Sequence, residues 1–179
     1  MSTTTGWMRL AALTLAVLAA TSGFLPAGAA AEEDFETVVK AAAEQTELSL
    51  GQVRQVLEYV PELVGYELAQ GNEVVLDDFG TFFVCEAADG EKTVCFAPES
   101  ERRSSGAQTR TKGEITAQIE NRTGLTRSVL GKLLDIIFDT ISGSVESEQK
   151  FSYPGFGTFT VKHRKARFEP APALKDVVN

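Results

Sequence analysis

The sequence predicts an α+β protein built from two copies of one helix-and-sheet unit, and its internal repetition is the main observation behind that prediction. TELS at 46–49 recurs as TGLT at 123–126. FGTFFV at 79–84 recurs as FGTFTV at 156–161, displaced along the chain by the same distance as the first match. No gap is needed between these two matches, so the segments between them correspond residue by residue.

The two repeats diverge after the second match, because the hairpins that follow differ in length. FAP at 96–98 corresponds to FEP at 168–170, which is a smaller displacement than that of the earlier matches. We therefore assign repeat 1 to residues 32–100 and repeat 2 to residues 111–179. The polar segment 101–110 between them is predicted to be a flexible linker.

Each repeat is predicted to contain two helices, the second of them longer. In that second helix, apolar residues recur at the i, i+3, i+4, i+7 spacing of an amphipathic helix. They are Val53, Val56, Leu57, Val60, Leu63 and Val64 in repeat 1, and Val129, Leu130, Leu133, Leu134, Ile137, Phe138 and Ile141 in repeat 2. Ser49 and Thr126 stand where an N-cap belongs. Pro61 removes an i→i−4 hydrogen bond, so it is expected to kink or split the helix of repeat 1.

The remaining elements form a small sheet in each repeat. The first helices are predicted at 35–46 and 113–123, and the strands at 73–76, 81–85, 92–96, 150–153 and 158–162. A unit of this size, with two helices and a small antiparallel sheet, buries little core by itself. We therefore predict that the two repeats pack against each other as an intramolecular pseudo-dimer.

Residues 1–31 have the pattern of a signal peptide. Arg9 precedes an apolar run at 10–20, and Pro26 precedes the small residues 27–31, which fit an A-x-A cleavage site. A membrane anchor or a transit peptide is less favoured, because a spanning helix needs about 20 apolar residues and this run is interrupted early. The prediction is export to the periplasm or the exterior after cleavage.

The two cysteines of the chain lie on either side of a hairpin turn. Asp89-Gly90 is a strong turn dipeptide. If Asp89, Gly90 and Glu91 form a three-residue loop, Cys85 and Cys95 lie opposite each other and close enough to bridge. An exported protein favours this disulfide over the alternative, two free thiols. Two cysteines and one histidine are too few ligands for a structural zinc site, so no metal is expected.

Repeat 2 resembles the bacterial HU and integration-host-factor family of DNA-binding proteins throughout its length. The matching residues are, in order, Lys112, Ile115, Ile119, Leu125-Thr126, GFGTF at 155–159, HRKAR at 163–167, FEP at 168–170 and ALKDVVN at 173–179. Repeat 1 matches less fully, through LS at 48–49, FGTF at 79–82 and FAP at 96–98.

The resemblance implies helical bodies that dimerise, and two long β-arms whose tips insert an apolar residue into the minor groove and bend DNA. Both arms are missing from this sequence, so that bending is not expected. The resemblance also implies DNA-binding residues, and the densest positive cluster surrounds the only histidine. The predicted DNA-binding residues are Lys112, Lys162, His163, Arg164, Lys165, Arg167 and Lys175.

Charge is divided unequally between the halves. Residues 32–100 hold sixteen acidic and three basic residues, a net charge of −13, while residues 101–179 hold nine acidic and thirteen basic residues, a net charge of +4. One hypothesis is weak, sequence-nonspecific binding of DNA phosphates by repeat 2. The alternative is a structural or protein-interaction module that kept the HU body and lost DNA binding, with the opposite charges pairing the repeats.

Catalysis is not expected. His163 has no nucleophile or orienting carboxylate motif near it in the sequence. The chain also lacks a glycine-rich phosphate loop and the HExxH and GxSxG motifs. We therefore predict a non-enzymatic protein with no cofactor and no small-molecule substrate.

Overall fold

A computed structural model of the chain describes residues 32–33, 35–86, 90–101 and 106–179. The predicted signal peptide at 1–31 lies outside these residues, as does part of the predicted linker. The elements are β1 (Glu32–Glu33), α1 (Phe35–Thr46), α2 (Leu50–Ala69), β2 (Glu73–Leu76), β3 (Gly80–Glu86), β4 (Lys92–Pro98), a 3-10 turn (Glu99–Glu101), β5 (Thr109–Thr111), α3 (Lys112–Thr123), α4 (Arg127–Glu146), β6 (Lys150–Tyr153), β7 (Gly157–Lys162), β8 (Lys165–Pro170) and α5 (Pro172–Asp176).

The predicted helices form, and their caps explain where the long ones begin. The Ser49 hydroxyl accepts a hydrogen bond from the Gln52 N–H, and the Gln52 side chain in turn accepts one from the Ser49 N–H. Thr126 caps α4 by accepting from the Val129 N–H. The N-cap predictions are confirmed, because these hydroxyls satisfy backbone donors that have no partner within the helix. None of the helices in the described ranges has the length and hydrophobicity that crossing a bilayer requires.

Pro61 does not split α2, so that part of the prediction is wrong. The helix runs without a break from Leu50 to Ala69. Pro61 has no N–H to offer the Leu57 carbonyl, but the Tyr153 hydroxyl of repeat 2 donates a hydrogen bond to that oxygen at 2.8 Å. The Leu57 carbonyl is therefore satisfied, which removes much of the usual cost of an internal proline.

Each repeat contributes to a four-stranded sheet, and both sheets are mixed where the sequence predicted purely antiparallel ones. Their strand orders are β1-β6-β7-β8 and β4-β3-β2-β5. The parallel strand in each case comes from outside the repeat that supplies the other three: β1 pairs with β6, and β5 pairs with β2. The predicted linker accordingly ends in a strand, since Thr109 and Arg110 belong to β5.

The two repeats interlock through their helices as well. Helix α1 packs against α4, and α3 packs against α2, while strands β4 and β8 lie side by side. The short helix α5, which the sequence analysis did not predict, packs against α2 and β4 of repeat 1. These contacts confirm that the repeats pack against each other within one chain.

Phenylalanine rings from both repeats pack against one another in the shared core. The ring centroids of Phe79 and Phe138 are 4.7 Å apart, and those of Phe82 and Phe156 are 4.8 Å apart. Each such pair adds about 0.5–1.5 kcal/mol beyond the burial of its area. The recurring FG dipeptide fits this packing, because a Cβ on Gly80 would lie 2.4 Å from the Ala97 carbonyl oxygen.

The cysteine hairpin forms with a different register from the one predicted. Cys85 faces Thr93, and Cys95 faces Phe83, so the segment 87–91 separates the paired ends of β3 and β4. The cysteines are therefore diagonal neighbours on one face of the sheet. Their Cα atoms are 5.9 Å apart and the disulfide is formed, so the pairing is confirmed although the three-residue loop is wrong.

Candidate nucleic-acid interface

The basic cluster of repeat 2 is a tight hairpin between β7 and β8. Lys162 pairs with Lys165, which leaves His163 and Arg164 as a two-residue turn. Both turn residues have positive φ, 54° and 61°, as in the type I′ turns that usually carry Asn-Gly. A bulky residue without a local hydrogen-bonding side chain, such as Arg164, is unfavourable in this conformation. Strained turns of this kind often occur at functional sites.

Strand alternation places three of the cations on one face of the hairpin. Lys162 is opposite Lys165, and Arg167 is opposite Thr160. The alternating positions Phe159 and Phe168 face the other way, into the aromatic core. The apolar face therefore anchors the hairpin, while the cationic face points to solvent.

The positive charge of the hairpin is not neutralised. Lys162, Arg164, Lys165 and Arg167 are all exposed, and none of them pairs with a carboxylate among the described residues. Elsewhere in repeat 2, Arg122 and Arg127 each bind a glutamate at 2.6 Å. A group of unpaired cations creates a positive surface potential that attracts polyanions.

The other two predicted site residues lie on separate elements. Lys112 begins α3, and its ammonium binds the Asp135 carboxylate at 2.6 Å. Lys175 is exposed on α5, which packs against repeat 1. The structure therefore brings together five of the seven predicted residues, those from Lys162 to Arg167.

Repeat 1 offers no equivalent surface among its described residues. Its hairpin pairs Glu86 with Lys92 and carries the disulfide. The cross-strand row of Val75, Thr81 and Ala97 on its outer face is 8%, 3% and 7% exposed. The candidate interface is thus confined to repeat 2.

The residues that frame the cluster were not predicted from the sequence. Thr160 lies beside Arg167 on the cationic face, and the period-two pattern of Thr158, Thr160 and Lys162 could have revealed this from the sequence. Phe83 of repeat 1 and Glu101, the first residue of the segment between the repeats, line the same cavity between β4 and β8 as Lys165 and Arg167. That proximity depends on the packing of the sheets and leaves no local pattern.

The repeats interlock through helices and sheets, and their basic hairpin carries cations without a carboxylate partner among the described residues. These features define a class of small, paired α+β proteins with a positively charged hairpin. Within that class, the chain belongs to the bacterial DNA-binding protein family, whose model matches residues 36–93 and again residues 110–179. The resemblance to the HU and integration-host-factor family, present in tandem, is confirmed.

Individual relatives match over the length of one repeat. The chain is similar to the SPbeta prophage-derived DNA-binding protein HU 2 of Bacillus subtilis, with 34% identity over 87 residues, 37% of this chain and 95% of the relative. It is 30% identical over 88 residues to DNA-binding protein HU-alpha of Pseudomonas aeruginosa, covering 38% of this chain and 98% of that protein. A solved structure of an HU mutant from Thermotoga maritima shares 30% identity and covers 39% of this chain and 100% of its own, with a TM-score of 0.38.

Proposed function

We propose that the protein binds DNA weakly and without sequence preference, through the phosphates, using the basic hairpin of repeat 2. The observation that carries this proposal is the exposed group Lys162, Arg164, Lys165 and Arg167 on the β7–β8 hairpin, which pairs with no carboxylate among the described residues. Membership of a DNA-binding family supports it. The hairpin is too short to insert between base steps, so it offers phosphate contacts and no base readout.

Export is part of the same proposal. The apolar segment and the small residues within 1–31 fit a cleaved signal peptide, and a disulfide suits an oxidising compartment. Mass spectrometry of the protein recovered outside the cytoplasm should give an N-terminus next to residues 29–31. An intact N-terminus on that material would contradict cleavage.

A second candidate function is a structural or protein-interaction module without DNA binding. The observation in its favour is the acidic first half, −13 over residues 32–100, which would repel a duplex that approached repeat 1. Anisotropy measurements distinguish the two candidates, because a module without DNA binding should give no change in anisotropy with DNA even at low salt.

The first experiment measures fluorescence anisotropy with duplexes of unrelated sequence over a range of salt concentrations. We expect equal affinities for all sequences and a slope of log affinity against log salt of about −2 to −4, because up to four cations contact phosphates. Arg164→Glu and Lys165→Glu should each weaken binding about fivefold or more at low salt. Lys40→Glu, the same charge change at an exposed residue of α1, is the matched control and should have a much smaller effect.

A second variant protects this test against misfolding. Replacing His163→Asn and Arg164→Gly installs the pair that this turn prefers, so the hairpin should remain at least as stable. The variant also loses one cation, and its DNA affinity should fall. Unchanged affinity in this variant and in both charge reversals would exclude the hairpin as the DNA interface.

A further inference from the structure

A cleft lies between the two sheets, beside the basic hairpin. Strands β4 and β8 are the edge strands of their sheets and lie next to each other without pairing. The cleft between them has a volume of about 260 Å³. Repeat 1 contributes Phe83, Phe96 and Pro98 to its lining, and repeat 2 contributes Lys165 and Arg167.

This lining combines the groups that bind an unpaired nucleotide. Proteins that bind single strands place an aromatic ring where a base can stack on it and cations where they meet the phosphates. Phe83 lies on the outer face of its sheet and is only partly buried, so its ring is accessible from the cleft. Lys165 and Arg167 of repeat 2 line the same cleft, are exposed, and form no ion pair with a carboxylate in the part of the chain that the structure describes.

The volume of the cleft and the stacking of bases in a duplex together limit which form of nucleic acid can enter. Pockets for drug-sized ligands usually measure about 300–1,000 Å³, so this cleft is suited to one base and its phosphate. A base within a duplex is stacked and paired on both sides and cannot enter unless it first leaves the helix.

We propose that the β4–β8 cleft binds an unpaired nucleotide of single-stranded DNA, with the base stacked on Phe83 and the phosphate held by Lys165 and Arg167. This inference rests on the proposed DNA-binding function and names the form of DNA that the site prefers. Glu101 also lines the cleft, and its carboxylate opposes a bound phosphate. The affinity for the nucleotide is therefore lower than Lys165 and Arg167 alone would give.

Three probes test the proposal by anisotropy at low salt. They are an oligothymidylate of about twelve nucleotides, a duplex of equal length and an abasic single strand that keeps the phosphates without the bases. Phe83→Thr removes the ring and leaves a β-branched residue in the strand. It should weaken binding of the oligothymidylate about fivefold or more, the lower end of what one stacked base contributes, and should leave the other two probes unchanged. Tyr66→Thr, which removes a ring that is 58% exposed on α2, is the matched control and should change none of them.

Glu101→Gln supplies an independent measurement that does not depend on the fold of the hairpin. Removal of this carboxylate should tighten binding of the oligothymidylate about two- to fivefold at low salt and affect the duplex less. If Phe83→Thr affects all three probes equally, or none, while duplex binding persists, the cleft proposal is wrong and the DNA-binding function stands. If no probe binds the native protein, both are wrong.

Discussion

A single buried hydroxyl compensates for a proline at the contact between the repeats. The Leu57 carbonyl is buried and receives its hydrogen bond from Tyr153 of the other repeat. Burial raises the pKa of the Tyr153 hydroxyl well above its ordinary value, so the group remains a protonated donor. At the equivalent positions of the opposite repeats, Phe138 replaces the proline and Leu76 replaces the tyrosine. The compensation therefore requires repeat 1 to meet repeat 2.

Tyr153→Phe should lower the free energy of unfolding by about 1–3 kcal/mol, because it leaves the Leu57 carbonyl buried and unsatisfied. In that background Pro61→Ala restores an N–H to the same carbonyl and should recover most of the loss. Urea denaturation of the four proteins of this cycle measures the coupling. Tyr66→Phe alters an exposed tyrosine of the same helix and is the control. Additive effects of the two substitutions would contradict the compensation.

Glu67 is a second buried polar residue that joins the repeats. Burial alone would raise the pKa of its carboxyl group, but hydrogen bonds from Asn72, Arg110 and Gln118 outweigh burial, so the pKa is lowered from 4.5. A lowered pKa in the folded state means that the ionised carboxylate stabilises the protein above its unfolded pKa. That contribution is lost as the pH falls through the folded value.

Glu67→Gln should therefore destabilise the protein by about 1–3 kcal/mol at neutral pH. The difference between variant and native protein should shrink as the pH falls below 4.5, the ordinary pKa of this carboxyl group. Chemical denaturation at a series of pH values measures the difference. A gap that stays constant down to pH ~3 would show that ionisation of Glu67 contributes nothing.

Among the elements, those with local determinants could be predicted from the sequence. Helices α2 and α4 have apolar periodicity and a capping hydroxyl, and both signals lie within the segment itself. Strands β1 and β5 could not be predicted, because each is very short and is defined only by pairing with a distant strand. The predicted register of the cysteine hairpin was wrong, because hairpins also form with longer connections than three residues and the local sequence does not distinguish these lengths.

The disulfide should stabilise the β3–β4 hairpin regardless of that register. It closes a loop with a sequence separation of 10 residues. Loop-closure entropy for such a loop is worth about 2–3 kcal/mol. Reduction should therefore lower the melting temperature by about 5–10 °C for a protein of this size. Calorimetry with and without reductant measures this, and a protein with Cys85→Ser and Cys95→Ser should melt at the lower temperature under both conditions. A native protein indifferent to reductant would contradict the prediction.

At the scale of the whole molecule, the pairing of the repeats was expected from size, because a unit of about seventy residues buries little core by itself. The exchange of edge strands, in which β1 pairs with β6 and β5 pairs with β2, could not be predicted from size. Nothing in the sequence of 109–111 distinguishes a strand from a linker. The basic hairpin was found from its composition, whereas the cleft beside it depends on how the two sheets meet. Properties set by contacts between the repeats are therefore the ones that the sequence did not reveal.

Because the repeats exchange strands, we expect that neither repeat folds when it is separated from the other. A chain of residues 32–108 lacks β5 and α5, and a chain of residues 109–179 lacks β1, so each would expose apolar surface that the other covers. Each alone should show no cooperative thermal transition. Equimolar mixing should restore the helical circular dichroism and the transition, because opposite charges favour this pairing over self-association. If either repeat melts cooperatively as a monomer, the repeats are independent domains and the exchanged strands are not required for folding.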